Sequence, residues 1–280
     1  MISRKSLYKM LVFMLLIIFV GGMYMLFSGF ISCKAYDSDY GVYIGSNPED
    51  IDPEFLPQTI VIDAQYFSAD EIHSLKEEGH TVYTYINLGS IETFRDYYKQ
   101  YESLTLGTYE NWEDEKWVDV SDKNWQKFFS VKADELLAKG VDGFFVDNCD
   151  VYYNYQTEEI YNGVSEMLKD LKSKDTYVLI NGGDTFVLEY LDRNGSLDDV
   201  LDGVNQESVY TSINWDDESF GVNDAEEREY FTNYLNRVMA DGKDAYALEY
   251  ATDRKIADKA LEYAKEKGYG VYVSDSLELN

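Results

Sequence analysis

Nine polar side chains close the apolar runs of this 280-residue sequence: Asp63, Asn87, Asp147, Asn148, Asn181, Gln206, Glu207, Glu249 and Asp275, five of them carboxylates. Carboxyl groups crowded on one rim raise one another's pKa values and cost stability, so a cluster of them points to use rather than to capping alone. The reaction that such pairs perform is cleavage of a glycosidic bond. One carboxyl protonates the leaving oxygen while another attacks, or activates water at, the anomeric carbon. That chemistry needs no cofactor and no metal. Lys and His are absent from the set, which argues against Schiff-base chemistry, Ser-His-Asp hydrolysis and a His-rich zinc site. His73 falls in a helical stretch and His80 in a turn. Binding of a hard cation by Asp147, Asp150 and Asp275 is the competing use.

Aromatic residues follow the same runs: Tyr66 and Phe67, Trp112 and Trp117 in the acidic tract GTYENWEDEKW, Tyr152, Tyr153 and Tyr155, then Tyr210 and Trp215. Flat rings pack on the apolar faces of sugars, and a groove lined by them suits a polymer. Most of the 26 tyrosines must nevertheless fill the interior, and Trp125, inside a helical stretch, is assigned there.

The elements that must hold these groups can be read from the alternation of apolar runs and amphipathic stretches. Eight runs have strand character: 41–45, 59–64, 81–87, 143–148, 177–182, 202–207, 244–250 and 269–275. Several are apolar almost throughout, as strands buried on both faces of a parallel sheet are. Ser68 with Glu71, Asp122, Thr157, Asn223 or Asp224, and Asp253 supply helix starts, and Gly79, Gly140, Gly242 and Gly268 supply stops. Eight strands with intervening helices over about 240 residues predict a (β/α)8 TIM barrel, its chemistry at the carboxyl ends of the strands. The first connection, 45–58, is proline-containing and too short for a full helix. An open doubly wound sheet is the alternative fold, but no GxGxxG follows the first strand.

The chain carries 24 basic against 53 acidic residues. That excess disfavours nucleic acid as a partner and leaves open either a simply solvated face or attraction of a cationic ligand. Two cysteines cannot staple a fold of this size, which must rest on packing. The uncharged run Met10–Ile31 follows Arg4, Lys5 and Lys9 and is long enough to cross a bilayer, so residues 1–34 read as a cytoplasmic tail and single-pass membrane anchor with residues 35–280 facing outward. A lipoprotein signal ending at Cys33, or a secreted form, is the alternative.

Longer motifs carry a resemblance. VIDAQYF (61–67), YTYINLGSIETFRDYY (83–98), KWVDV (116–120), KGVDGFFVDNCDVYY (139–153), LINGG (179–183), DGVNQESVY (202–210) and LEYA (248–251) are similar to the endo-α-1,4-polygalactosaminidase family of glycoside hydrolases. The resemblance covers roughly residues 40–275, and its most specific piece is the DGxxxDNxD block combined with the later NQES. It implies a TIM barrel in which Asp147 is the nucleophile or stabilising carboxylate and Glu207 the general acid/base. Asp63, Tyr66, Asn148, Asp150, Asn181, Gln206, Glu249 and Tyr250 are expected to contact substrate. The implied substrate is an amino-sugar polysaccharide, α-1,4-linked galactosamine that is partly N-acetylated. A polysaccharide-binding protein without activity is the alternative on the same barrel. Cys149 departs from the pattern, where an aliphatic residue is expected; a side chain turned away from the pocket would make the change harmless.

Overall fold

The computed structural model describes residues 39–280. The apolar run Met10–Ile31 and Cys33 lie outside them, and among the described residues no helix is long and apolar enough to cross a membrane.

Of the thirteen strands among the described residues, eight form one parallel sheet: β1 (Tyr40–Tyr43), β2 (Thr59–Ile62), β3 (Thr81–Asn87), β7 (Gly143–Asp147), β8 (Tyr177–Asn181), β9 (Gly203–Glu207), β12 (Asp244–Tyr250) and β13 (Gly270–Ser274). Each pairs with the next of these in chain order, with no reversal of direction around the sheet. A doubly wound sheet requires such a reversal, so the alternative fold is ruled out and the strands are staves of a (β/α)8 barrel. The two end staves approach one another: Gly45 N donates to Leu279 O at 3.1 Å, and the Tyr43 and Tyr272 rings lie 5.3 Å apart.

Side chains alternate along each stave. Val42, Val61, Tyr83, Tyr85, Phe145, Leu179, Leu248 and Tyr250 form the barrel interior, while Ile60, Ile62, Val82, Phe144, Val146, Val178, Ile180 and Val204 are equally buried with the opposite parity, toward the helix layer. The same parity decides which strand-end residues can work together. Asp63, Asn87, Asp147, Asn181, Glu207 and Tyr250 share the interior phase, whereas Gln206 and Glu249 are out of it.

The predicted helix starts occur where the sequence places them. Ser68 and Glu71 form a reciprocal capping box, and Asp122, Thr157, Asp224 and Asp253 each accept backbone N–H groups in the first turn. The helix Asp184–Asn194 lacks a polar cap and begins after Gly183 in the left-handed region, which is why no start signal marks it. The first connection is two short 3-10 turns, Pro48–Asp50 and Pro53–Phe55. Two excursions interrupt the barrel pattern. After β3 the chain builds an antiparallel sheet from β4 (Ser90–Glu92), β5 (Thr105–Thr108) and β6 (Glu115–Val118), and after β9 it builds the hairpin of β10 (Thr211–Asn214) and β11 (Ser219–Val222). Both stand at the carboxyl-end rim.

Candidate active site

A cavity of about 870 Å³ opens at this rim, and Asp147, Asn181, Glu207 and Tyr250 meet in it. Asn181 is the joint. Its Nδ2 donates to Asp147 Oδ1 at 3.0 Å and to Glu207 Oε1 at 2.7 Å, so those two oxygens can lie no more than about 5.7 Å apart, short of the ~6.5–9.5 Å of carboxyl pairs in inverting glycosidases. Tyr250 donates its hydroxyl to the other Glu207 oxygen at 2.7 Å. Behind Asn181 the network continues inward: Asn205 Nδ2 donates to Asn181 Oδ1 at 2.7 Å, and the Tyr40 hydroxyl donates to Asn205 Oδ1 at 3.2 Å. The amide is thereby fixed with its N–H₂ toward the two carboxyls.

Burial, then the neighbouring Glu115 and Glu207, hold the Asp147 carboxyl well above the usual range, against the opposing hydrogen bond from Asn181. Glu115 belongs to β6 and is brought in by the excursion after β3. Its Oε1 accepts from Asn87 Nδ2 at 2.8 Å, Asn148 Nδ2 at 2.8 Å and the Ser90 hydroxyl. Burial pushes its pKa up as well.

The other predicted contacts fall into distinct places. Asp63 lines the cavity, but its carboxylate is engaged by Arg95 Nη2 at 2.9 Å and by Gln65 N at 3.0 Å. Tyr66 stands open at the rim, 52% exposed. Asn148, buried with φ 64°, spends its amide on Glu115, Ser90 and Asn87 and so orients the wall. Gln206 donates Nε2 to Glu207 O at 2.9 Å and leaves Oε1 unpartnered. Asp150 lies in the cavity wall and accepts Gly183 N at 3.1 Å; a Cβ at Gly182 would fall 2.9 Å from its Oδ2.

Glu249 requires a correction. Out of phase with Tyr250, it is fully buried outside the cavity, and its two oxygens accept Tyr210 N and Thr211 N at 2.8 Å and the Thr211 hydroxyl at 2.6 Å. It anchors the start of the β10–β11 hairpin instead of contacting substrate. The metal alternative is corrected too: Asp275 does not line the cavity, and among the described residues no group of three or more His, Cys, Asp or Glu is placed to hold an ion. Cys149 is buried and outside the lining residues, its thiol pushed up by burial.

Of the predicted aromatic rim, Tyr66, Trp112, Trp117, Tyr153 and Trp215 line the cavity, joined by Phe94 and Tyr109. Phe67 and Tyr152 are instead buried in packing, Tyr152 donating to Glu189 at 2.7 Å. Trp125 is core, its indole N–H donating to Leu88 O at 2.9 Å. Trp112, in the loop between β5 and β6, and Trp215, in the loop between β10 and β11, meet edge-to-face at 6.3 Å. Glu92, Arg95 and Glu115 lie at no stave end and so carry no such signal in the sequence; the excursion after β3 brings them into the cavity wall. Arg95 is the sole cation among the lining residues, against eight carboxylates: Asp63, Glu92, Glu110, Glu115, Asp147, Asp150, Glu207 and Glu278. Although burial opposes it, Glu92 and Asp63 raise the Arg95 pKa and keep its guanidinium charged.

Asp150 yields a prediction. Burial first, then Asp184, push its carboxyl up to about 7, whereas in the unfolded chain it titrates near 3.9. Between about pH 4 and 7 the folded state therefore holds a proton that the unfolded state has lost, so stability falls as pH rises through this window. Calorimetry should give a higher Tm at pH 5 than at pH 8, and Asp150→Asn, which can still accept from Gly183, should remove part of that difference. An unchanged pH dependence in the variant would refute the assignment.

A parallel barrel with two carboxyls on alternate staves, an aromatic mouth and an acid-lined cleft has the arrangement of the TIM-barrel glycosidases. Within that class the chain belongs to glycoside-hydrolase family GH114, whose model matches residues 35–279. The glycoside hydrolase domain of PelA from Pseudomonas aeruginosa superposes with a TM-score of 0.70 at 19% identity, covering 86% of this chain and 94% of that one. Aspergillus fumigatus Ega3 in complex with galactosamine gives 0.69 at 15% identity, covering 87% and 92%. Both likenesses speak for the fold. The uncharacterized protein MJ1477 of Methanocaldococcus jannaschii is 24% identical over 239 residues, which span 75% of this chain and 65% of that relative.

Proposed function

We propose that the chain hydrolyses an α-1,4-linked galactosamine polymer, partly N-acetylated, with Asp147 as nucleophile and Glu207 as general acid/base. The observation that carries this reading is the single Asn181 amide holding one oxygen of each carboxyl. At that separation Asp147 attacks the anomeric carbon directly while Glu207 gives its proton to the departing oxygen. Glu207 then takes a proton from water, which displaces the sugar from Asp147 with net retention of configuration. The eight-to-one excess of acids over cations in the cavity supports a substrate with free amines, which are cationic near neutral pH. Membership of GH114 and the galactosamine bound by Ega3 support the same sugar. The apolar run 10–31 behind three basic residues supports a membrane-tethered protein with its barrel outside the cell.

The test is incubation with de-N-acetylated, acetylated and mixed α-1,4-galactosaminans, with products followed by mass spectrometry and by NMR of the newly formed anomeric centre. Oligomers released with the α configuration are expected. Retention of polymer without new reducing ends would overturn the hydrolase in favour of a binding protein, and release of the β anomer would overturn the displacement by Asp147.

A further inference from the structure

The antiparallel pairing of β4 with β6 sets Glu92 directly opposite Glu115, and both line the cavity. Like charges facing one another across a ladder repel, and a buried carboxylate oxygen without a donor is costly. This corner has both features. Glu92 Oε2 has no partner, on a side chain only 8% exposed. Arg95 does not balance the charge, because its Nη2 is shared between Glu92 Oε1 at 3.0 Å and Asp63 Oδ2 at 2.9 Å. On Glu115 all three hydrogen bonds converge on Oε1. The corner also abuts the reacting pair: Asn148 Nδ2 lies 2.8 Å from Glu115 Oε1 and 3.5 Å from Asp147 Oδ2.

We infer that Glu92 and Glu115 form a subsite for the ammonium group of an amino-sugar unit bound beside Asp147, and that this subsite sets a preference for the free amine over the acetamide. The inference rests on the amino-sugar hydrolase reading and adds to it the residues that sense N-acetylation. An ammonium brings a charge and three donors to two facing carboxylates, one of which keeps an oxygen, Glu92 Oε2, without a donor, whereas an acetamide is neutral, bulkier and brings one N–H. A bound ammonium has a second effect. Glu115 is the foremost charged neighbour raising the Asp147 pKa, and a cation against Glu115 offsets that influence and favours the ionised nucleophile. The amine that identifies the substrate thus also prepares Asp147 to attack it.

The test compares kcat and KM of the full-length protein on defined α-1,4-galactosamine and α-1,4-N-acetylgalactosamine oligomers, for wild type, Glu115→Gln and Glu92→Gln, with thermal melts as the folding control. Wild type is expected to favour the amine, and each variant to lose about tenfold or more of that preference, mainly through a higher KM for the amine substrate. Glu92→Gln leaves the three hydrogen bonds at Glu115 in place, so it keeps the inference testable if Glu115→Gln misfolds. An undiminished preference in a folded variant of either residue, or a wild type that cleaves both oligomers equally well, overturns the subsite and leaves the hydrolase intact. A wild type that cleaves neither overturns the hydrolase, and the subsite with it.

Discussion

Asp147→Asn and Glu207→Gln are each expected to lower kcat/KM by about 10³-fold or more, within the range that one general acid/base contributes and below the loss of a whole nucleophilic unit. Both replacements are isosteric, and an amide oxygen at 147 can still accept from Asn181 and one at 207 from Asn181 or Tyr250. The fold therefore has no reason to fail. For Asp147 the expectation goes further: the site already presses its carboxyl toward the neutral form, so a neutral isostere should melt at or above the wild-type temperature. A large loss of rate at unchanged Tm separates chemistry from structure. Because the two groups act on one bond, the double variant should be scarcely slower than either single one. Initial rates of reducing-end release measure all three, and wild-type turnover in either single variant would remove that residue from the reaction.

Asn181→Ala is expected to cost about 10²-fold, although Asn181 neither attacks nor donates a proton to substrate in the scheme. It is a positioning residue. Its loss leaves two carboxyls facing each other without the N–H₂ group between them and leaves Asn205 without its acceptor. The sign of the pH effect follows: the Asn181 hydrogen bond lowers the Asp147 pKa, so removing it raises that pKa further, and the acidic limb of the kcat profile should move to higher pH. A merely structural defect would lower the rate at every pH without moving the limb.

The staves were legible in the sequence because each is a short apolar run ending in a polar residue, and the capped helices because Ser68, Asp122, Thr157, Asp224 and Asp253 announce them. What escaped depends on side-chain parity and on pairing. Glu249 sits one residue before Tyr250, and that single step turns it out of the barrel and under the hairpin. Glu92 and Glu115 are 23 positions apart in a tract of mixed polarity, and only the ladder of β4 on β6 makes them neighbours. Arg95 carries no local signal at all, since its role exists only once Asp63 and Glu92 converge on it. Phe67 and Tyr152 looked like rim residues because a position following a stave does not tell which way its ring turns.

The indoles of Trp112 and Trp215 come from loops that follow β3 and β9, staves three places apart in the ring of eight. Their contact therefore joins two sectors of the mouth, each indole held in part by the other. Removing either indole should loosen the other, so the two hairpins present one shared aromatic surface at the mouth.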